Sequence, residues 1–131
     1  MLPIKALLNR TARLRNKEKG RRAFILGSAP SVLKEDLSLL KGEVVIGMNA
    51  STMLEDRFDF VTSYYVVSDA RFLKHPEKKQ WGMSKLNEQT VRVIRADLKC
   101  HDDHNLAERT YYVRHLLRDG FSKDLSCGFF Y

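Results

Sequence analysis

The stretch Ala23-Phe24-Ile25-Leu26-Gly27-Ser28-Ala29-Pro30-Ser31 decides how the chain folds. Four apolar residues between Arg22 and Gly27 are too few for a helix and suit a short buried strand. The Gly-Ser-Ala-Pro-Ser segment then reads as a loop. Beyond it, Val32, Leu33, Leu37 and Leu40 recur at helical spacing and Lys41-Gly42 closes the segment, so a helix is predicted. The same sequence of events repeats downstream. Val44–Met48 reads as a second buried strand that ends at Asn49-Ala50-Ser51, and Thr52–Phe58 as a short helix. Tyr64–Ser68 reads as a third strand ending at Asp69. Arg71–Lys79 is basic, carries Pro76 and reads as a helix breaking into a loop. Val91–Arg95 is a fourth strand, whose alternation of apolar residues with Arg predicts an exposed or edge position. Tyr111–Val113 makes a fifth strand, with a helical reading through Leu117 left open. Strands alternating with helical connections imply βαβ units. The predicted fold class is therefore α/β, a Rossmann-like parallel sheet with flanking helices.

Composition agrees with one globular domain. The 131 residues are 44% hydrophobic and 30% charged, with seven Gly and three Pro, which excludes disordered and fibrous classes. No run approaches the length of a membrane-spanning helix. The two cysteines, Cys100 and Cys127, are too few for a disulfide scaffold and suit a reducing compartment, hence a cytoplasmic location.

A net charge of +7 would ordinarily suggest nucleic acid, but its distribution does not. Residues 1–22 hold eight bases and the single acid Glu18, whereas the other 109 residues hold 15 of each sign. The chain accordingly divides into a basic N-terminal arm, 1–22, and a neutral domain, 23–131, and no nucleic-acid partner is expected. In the arm, Leu2, Ile4, Leu7, Leu8 and Leu14 fall on one side of a helix. Such a helix either packs on the domain or lies peripherally on the inner face of an anionic membrane.

Ligands of parallel α/β sheets bind beyond the carboxyl ends of the strands. Polar groups occur at three of those ends: Ser28 to Ser31, Asn49 with Ser51, and Ser68 with Asp69. Gly27 permits a sharp turn, and Pro30 presets a helix start. Ser28 and Ser31 offer hydroxyls to an anion. The pattern is neither a dinucleotide fingerprint nor a P-loop. Taken singly, Ser31 and Asp69 also read as helix caps and Asn49 as a turn residue.

These residues carry a resemblance. Phe24-Ile25-Leu26-Gly27-Ser28-Ala29-Pro30-Ser31-Val32, Asp36-Leu37, Ile46-Gly47-Met48-Asn49 and Tyr64-Tyr65-Val66-Val67-Ser68-Asp69 resemble the opening of bacterial Rossmann-like sugar transferases, the family 42 sialyltransferases. They are similar too to the 6-hydroxymethylpterin diphosphokinase-like proteins and motility accessory factors. The likeness spans residues 22–70. It implies a glycosyltransferase of surface polysaccharide or glycoconjugate synthesis, with a nucleotide-activated sugar as donor and a glycan as acceptor. No cofactor is implied by that reading. By position, Gly27, Ser28, Ala29, Pro30, Ser31, Asn49, Ser68 and Asp69 would line the nucleotide site. Ser28 stands where the sialyltransferases carry Asn, and Ala29 where both groups carry Gly. Ser68-Asp69 matches the diphosphokinase-like group better; that alternative implies ATP and Mg²⁺, with Asp69 near the metal. A third reading is a non-catalytic nucleotide- or partner-binding domain. In the sialyltransferases the catalytic base follows the region resembling Phe121–Tyr131. The expectation is therefore an incomplete C-terminus, the front of a larger catalytic domain that lacks its base here.

Other reactive groups promise less. Cys100-His101-Asp102-Asp103-His104 is one cluster, not the two separated pairs a zinc site needs, and no metal site is expected. His75, beside Pro76, reads as a loop residue, and His115, with Leu116 and Leu117 as helical neighbours, as a surface or half-buried residue. Cys127 has no base to activate it, and Trp81 reads as packing.

Overall fold

The computed structural model describes residues 10–80, 86–101, 107–116 and 129–130. Five strands form one sheet: β1 (Ala23–Leu26), β2 (Val44–Met48), β3 (Tyr64–Val67), β4 (Val91–Arg95) and β5 (Thr110–Val113). All neighbours are parallel. With its flanking helices this is the expected α/β, Rossmann-like architecture. A small parallel pair, β6 (His115–Leu116) with β7 (Phe129–Phe130), stands apart from the main sheet.

The strands lie in the order β1-β2-β3-β4-β5. Each connection steps one place in the same direction, and right-handed crossovers of that kind all fall on one face. The packing agrees. Leu26 and Val45 pack with Leu37, Leu40 and Phe60. Tyr65, Val67 and Ile94 pack with Phe72, Leu73 and Leu98. By register, these strand residues share one face with Arg92 and Thr110.

Four local expectations need correction. The helix expected over Val32–Leu40 is two 3-10 segments, Pro30–Lys34 and Leu37–Leu40. Glu35 is extended between them, and the Asp36 carboxylate accepts the Ser38 amide, so the chain restarts instead of continuing. Likewise Asn49–Leu54 is a 3-10 segment that leads into α1 (Glu55–Phe58). The basic stretch becomes α2 (Ala70–Lys74) and α3 (Pro76–Lys79), separated at His75 because Pro76 disfavours a helical residue before it. Most instructively, β4 is interior, not an edge. Arg92 is fully buried; its Nε and Nη2 donate to Thr110 Oγ1 at 3.0 and 2.6 Å. The Val-Arg alternation that looks like solvent exposure records a guanidinium held inside by polar partners.

The described part of the basic arm is a 3-10 segment, Arg10–Leu14, followed by turns. Asn16 and Gly20 take left-handed φ values of 60° and 82°, which ends the expected helix. The arm rests against the sheet: the Tyr64 hydroxyl donates to Glu18 Oε1 at 2.7 Å, and Arg21 Nη2 donates to the Gly42 carbonyl at 2.9 Å. Arg22 pairs with Glu43.

Candidate functional site

Because β1, β2 and β3 are adjacent and parallel, their carboxyl ends open side by side, with neighbouring strands about 4.8 Å apart. The three polar clusters therefore share one rim. Gly27, Ser28, Ala29, Pro30, Ser31 and Asn49 are exposed on it, and Ser68 and Asp69 are half-buried.

The loop after β1 differs from a phosphate-gripping turn. The segment that follows has only five residues, its first position is Pro30, and its cap residue is Ala29, which offers no side-chain bond. Ser31 is thus not the cap. The Val32 amide is spent on the Ala29 carbonyl at 3.0 Å. Gly27 is not in the left-handed region, and a Cβ added there would meet nothing within 4 Å. The fold does not need glycine at this position, which corrects the sharp-turn reading. What glycine leaves is open space above the end of β1.

Asn49 is built more deliberately. Its φ of 52° is left-handed, a conformation Asn tolerates better than most residues. The Tyr65 hydroxyl, from the next strand, donates to its carbonyl at 2.7 Å. Burial pushes the Tyr65 phenol well above its ordinary range, so it stays a neutral donor. Turn and clamp together leave the Asn49 side chain exposed on the rim. Ser51, grouped with Asn49 by sequence, is instead fully buried, and its Oγ accepts the Met48 amide at 2.9 Å. It supports the turn from beneath.

Asp69 is the N-cap of α2: its carboxylate accepts the Arg71 amide at 2.9 Å. Its Oδ2 also pairs with Arg71 Nη2 at 2.8 Å. Hydrogen bonds from the Arg71 side chain, then its backbone amide, hold the Asp69 carboxyl below the ordinary carboxylate value. Arg95, at the end of β4, pairs in the same way with Asp97, Nε to Oδ1 at 2.7 Å. Arg71, Arg95, Asp97 and Tyr65 are rim features the motifs do not announce. Only Arg95, as the last residue of an apolar run, has a positional signal.

The Mg²⁺ that the diphosphokinase-like alternative implies finds a poor fit. Both Asp69 oxygens are engaged by Arg71, and among the described residues no three of His, Cys, Asp and Glu gather to hold a metal ion. Cys100 is exposed, with its thiol 3.7 Å from the Asp97 carbonyl; Asp102, Asp103 and His104 lie outside the described residues. So do Trp81 and Cys127. His75 is exposed between α2 and α3. His115 lies in β6, not on a helical surface. No helix among the described residues is long and apolar enough to cross a membrane.

No family model, curated protein or solved structure matches this chain. The sialyltransferase-like resemblance accordingly rests on the residues 22–70 that carry it.

Proposed function

We propose that the carboxyl rim of β1–β3 binds the nucleotide of an activated sugar, and that the chain belongs to a glycosyltransferase of the sialyltransferase-like kind, acting in surface polysaccharide or glycoconjugate synthesis. The observation that carries this reading is the exposure of Gly27–Ser31 and Asn49 side by side on adjacent parallel strand ends. The Ser28 and Ser31 hydroxyls and the Asn49 amide are neutral donors and acceptors suited to ribose, base and phosphate oxygens. The space over Gly27 lets a ligand approach the backbone. In the reaction the acceptor hydroxyl attacks the anomeric carbon while the bond from that carbon to the phosphate oxygen breaks. The nucleotide leaves with the electron pair, and a base takes the hydroxyl proton. Rim donors act on the charge developing on the leaving phosphate.

Thermal shift with CMP, CDP, UDP and ATP, each with and without Mg²⁺, tests the reading. A metal-independent rise in Tm with a cytidine or uridine nucleotide supports it. A rise with ATP that requires Mg²⁺ replaces it with the diphosphokinase-like reading, for which Asp69 must leave Arg71. No shift with any nucleotide overturns both and leaves a partner-binding domain.

A further inference from the structure

The two faces of the sheet are finished differently. Both core clusters lie on the face of Val45, Tyr65 and Ile94. On the opposite face, register places Ile25, Ile46, Tyr64 and Val91 in one row, and residues 10–22 cross that face. The Arg10 guanidinium lies over the Tyr111 ring, 5.5 Å from its centroid, and Arg10 Nη2 donates to the Glu108 carbonyl at 3.1 Å. Glu18 accepts the Tyr64 hydroxyl, and Arg21 reaches the Gly42 carbonyl just before the chain enters β1. These anchors hold the stretch against the sheet from β5 past β3 to β1.

What the anchors leave over is positive charge. Residues 10–22 hold seven bases and one acid, six of the chain's seven excess positive charges. The acids at hand are engaged: Glu18 Oε2 by Arg21 Nη1 at 2.7 Å, and Glu43 by Arg22. Arg13, Arg15, Lys17 and Lys19 are exposed and form no ion pair among the described residues. On the same face stands Ile25, 74% exposed on the edge strand β1. It is two strands, about 10 Å, from Tyr64 and the Glu18 that Tyr64 holds. Unpaired cations beside an exposed aliphatic side chain suit a surface of anionic lipid: the cations meet headgroup phosphates while the aliphatic group enters the acyl boundary. Nucleic-acid phosphates would attract the cations equally but offer nothing to the isoleucine.

We infer that the face carrying residues 10–22 and Ile25 docks on a membrane containing acidic phospholipid. The cations are pinned on the sheet before they meet the lipid, so docking costs little ordering of the backbone that carries them. With that face down, the strands run along the membrane surface, and the carboxyl rim of β1–β3 opens beside it.

Co-sedimentation of the full chain with vesicles tests this. The protein is expected to bind vesicles of phosphatidylglycerol and phosphatidylcholine at about 0.1 M NaCl, to leave them at about 1 M, where screening shortens to about 3 Å, and to ignore pure phosphatidylcholine. Each cation near an acidic surface strengthens binding roughly five-fold, so Arg15→Gln/Lys17→Gln should weaken it about 25-fold. Ile25→Ser should weaken it roughly ten-fold. Leu39→Ser is the control. Leu39 is also 74% exposed, but its segment packs on the other face through Leu37 and Leu40, and binding should not change. All four altered side chains are exposed, and far-UV circular dichroism checks that each variant keeps the fold. Absence of binding to the acidic vesicles overturns the proposal. So does binding undiminished by Arg15→Gln/Lys17→Gln or by Ile25→Ser, or weakened as much by Leu39→Ser. Tighter binding to a short DNA duplex than to the vesicles at the same salt, unaffected by Ile25→Ser, assigns the cations to nucleic acid and also overturns it.

Discussion

Gly47→Ala is expected to destabilise the protein although alanine is the smallest possible addition. Gly47 sits in β2 on the covered face, level with Leu26 and Tyr65. A Cβ there would lie 2.6 Å from Ser51 Oγ and 2.9 Å from Thr62 Cγ2. Both neighbours are fully buried. Ser51 is the less able to yield, because its Oγ accepts the Met48 amide. Moving it breaks that bond and disturbs the turn that carries Asn49. Overpacking of this kind costs about 1–3 kcal/mol, which for a domain of this size lowers Tm by roughly 4–12 °C. The assay is thermal and urea unfolding of Gly47→Ala, Ser51→Ala and the double variant. Removing Oγ relieves the shorter contact, so Gly47→Ala should cost less in the Ser51→Ala background, by at least about 0.5 kcal/mol of coupling. A Tm unchanged by Gly47→Ala, or an identical cost in both backgrounds, refutes the reasoning.

Asn49→Gly should keep the fold, since glycine accepts the φ of 52°, yet lose the nucleotide-induced thermal shift; Asn49→Ala should cost about 1–2 kcal/mol through its backbone alone. A Gly variant that still responds to nucleotide removes the Asn49 side chain from the site. Tyr64→Phe deletes the bond to Glu18 and should cost about 1 kcal/mol by urea unfolding. Its pH dependence has a defined sign. The Tyr64 hydrogen bond, foremost, lowers the Glu18 pKa from 4.5, so that stabilisation is present above about pH 4.5 and is lost on acidification. Burial first, then Glu18, raises the Tyr64 pKa above 10.0, so its contribution is present below pH 10 and is lost as pH rises beyond it. The wild-type stability profile should therefore fall more steeply than that of Tyr64→Phe at both ends. Asp69→Ala removes the cap of α2 and should cost about 1 kcal/mol. Its loss also removes the part of the acid sensitivity that arises as Asp69, with a pKa held below 3.8, is protonated. Calorimetric Tm values at pH 3 and pH 7 check both.

Much of the fold was legible in short apolar runs between Gly, Asn and Asp. All five strands of the main sheet fall within a residue of their expected places, because a buried parallel strand is written as continuous hydrophobicity. The connections were less legible. Asp36, Asn16 and Pro76 act through local hydrogen bonds and backbone geometry that override helical spacing. The candidate rim was legible as strand ends, but the division of labour on it was not. Ser51 and Asp69 are polar residues of the same kind as Ser28 and Asn49, and the folded chain engages them with partners, the Met48 amide and the Arg71 side chain.

By itself the sequence determined the alternation of strands and helices, the neutrality of the domain and the confinement of excess charge to residues 1–22. These depend on hydrophobic runs and on counting, both local properties. Tertiary structure alone decided that the strands stand in the order β1 to β5, that β4 is interior with Arg92 buried beside Thr110, and that the arm lies across the sheet through Tyr64 and Tyr111. Each depends on contacts between residues distant in the chain. Loop-closure entropy scarcely distinguishes the alternative arrangements, so burial and hydrogen bonding across the assembled sheet make the choice.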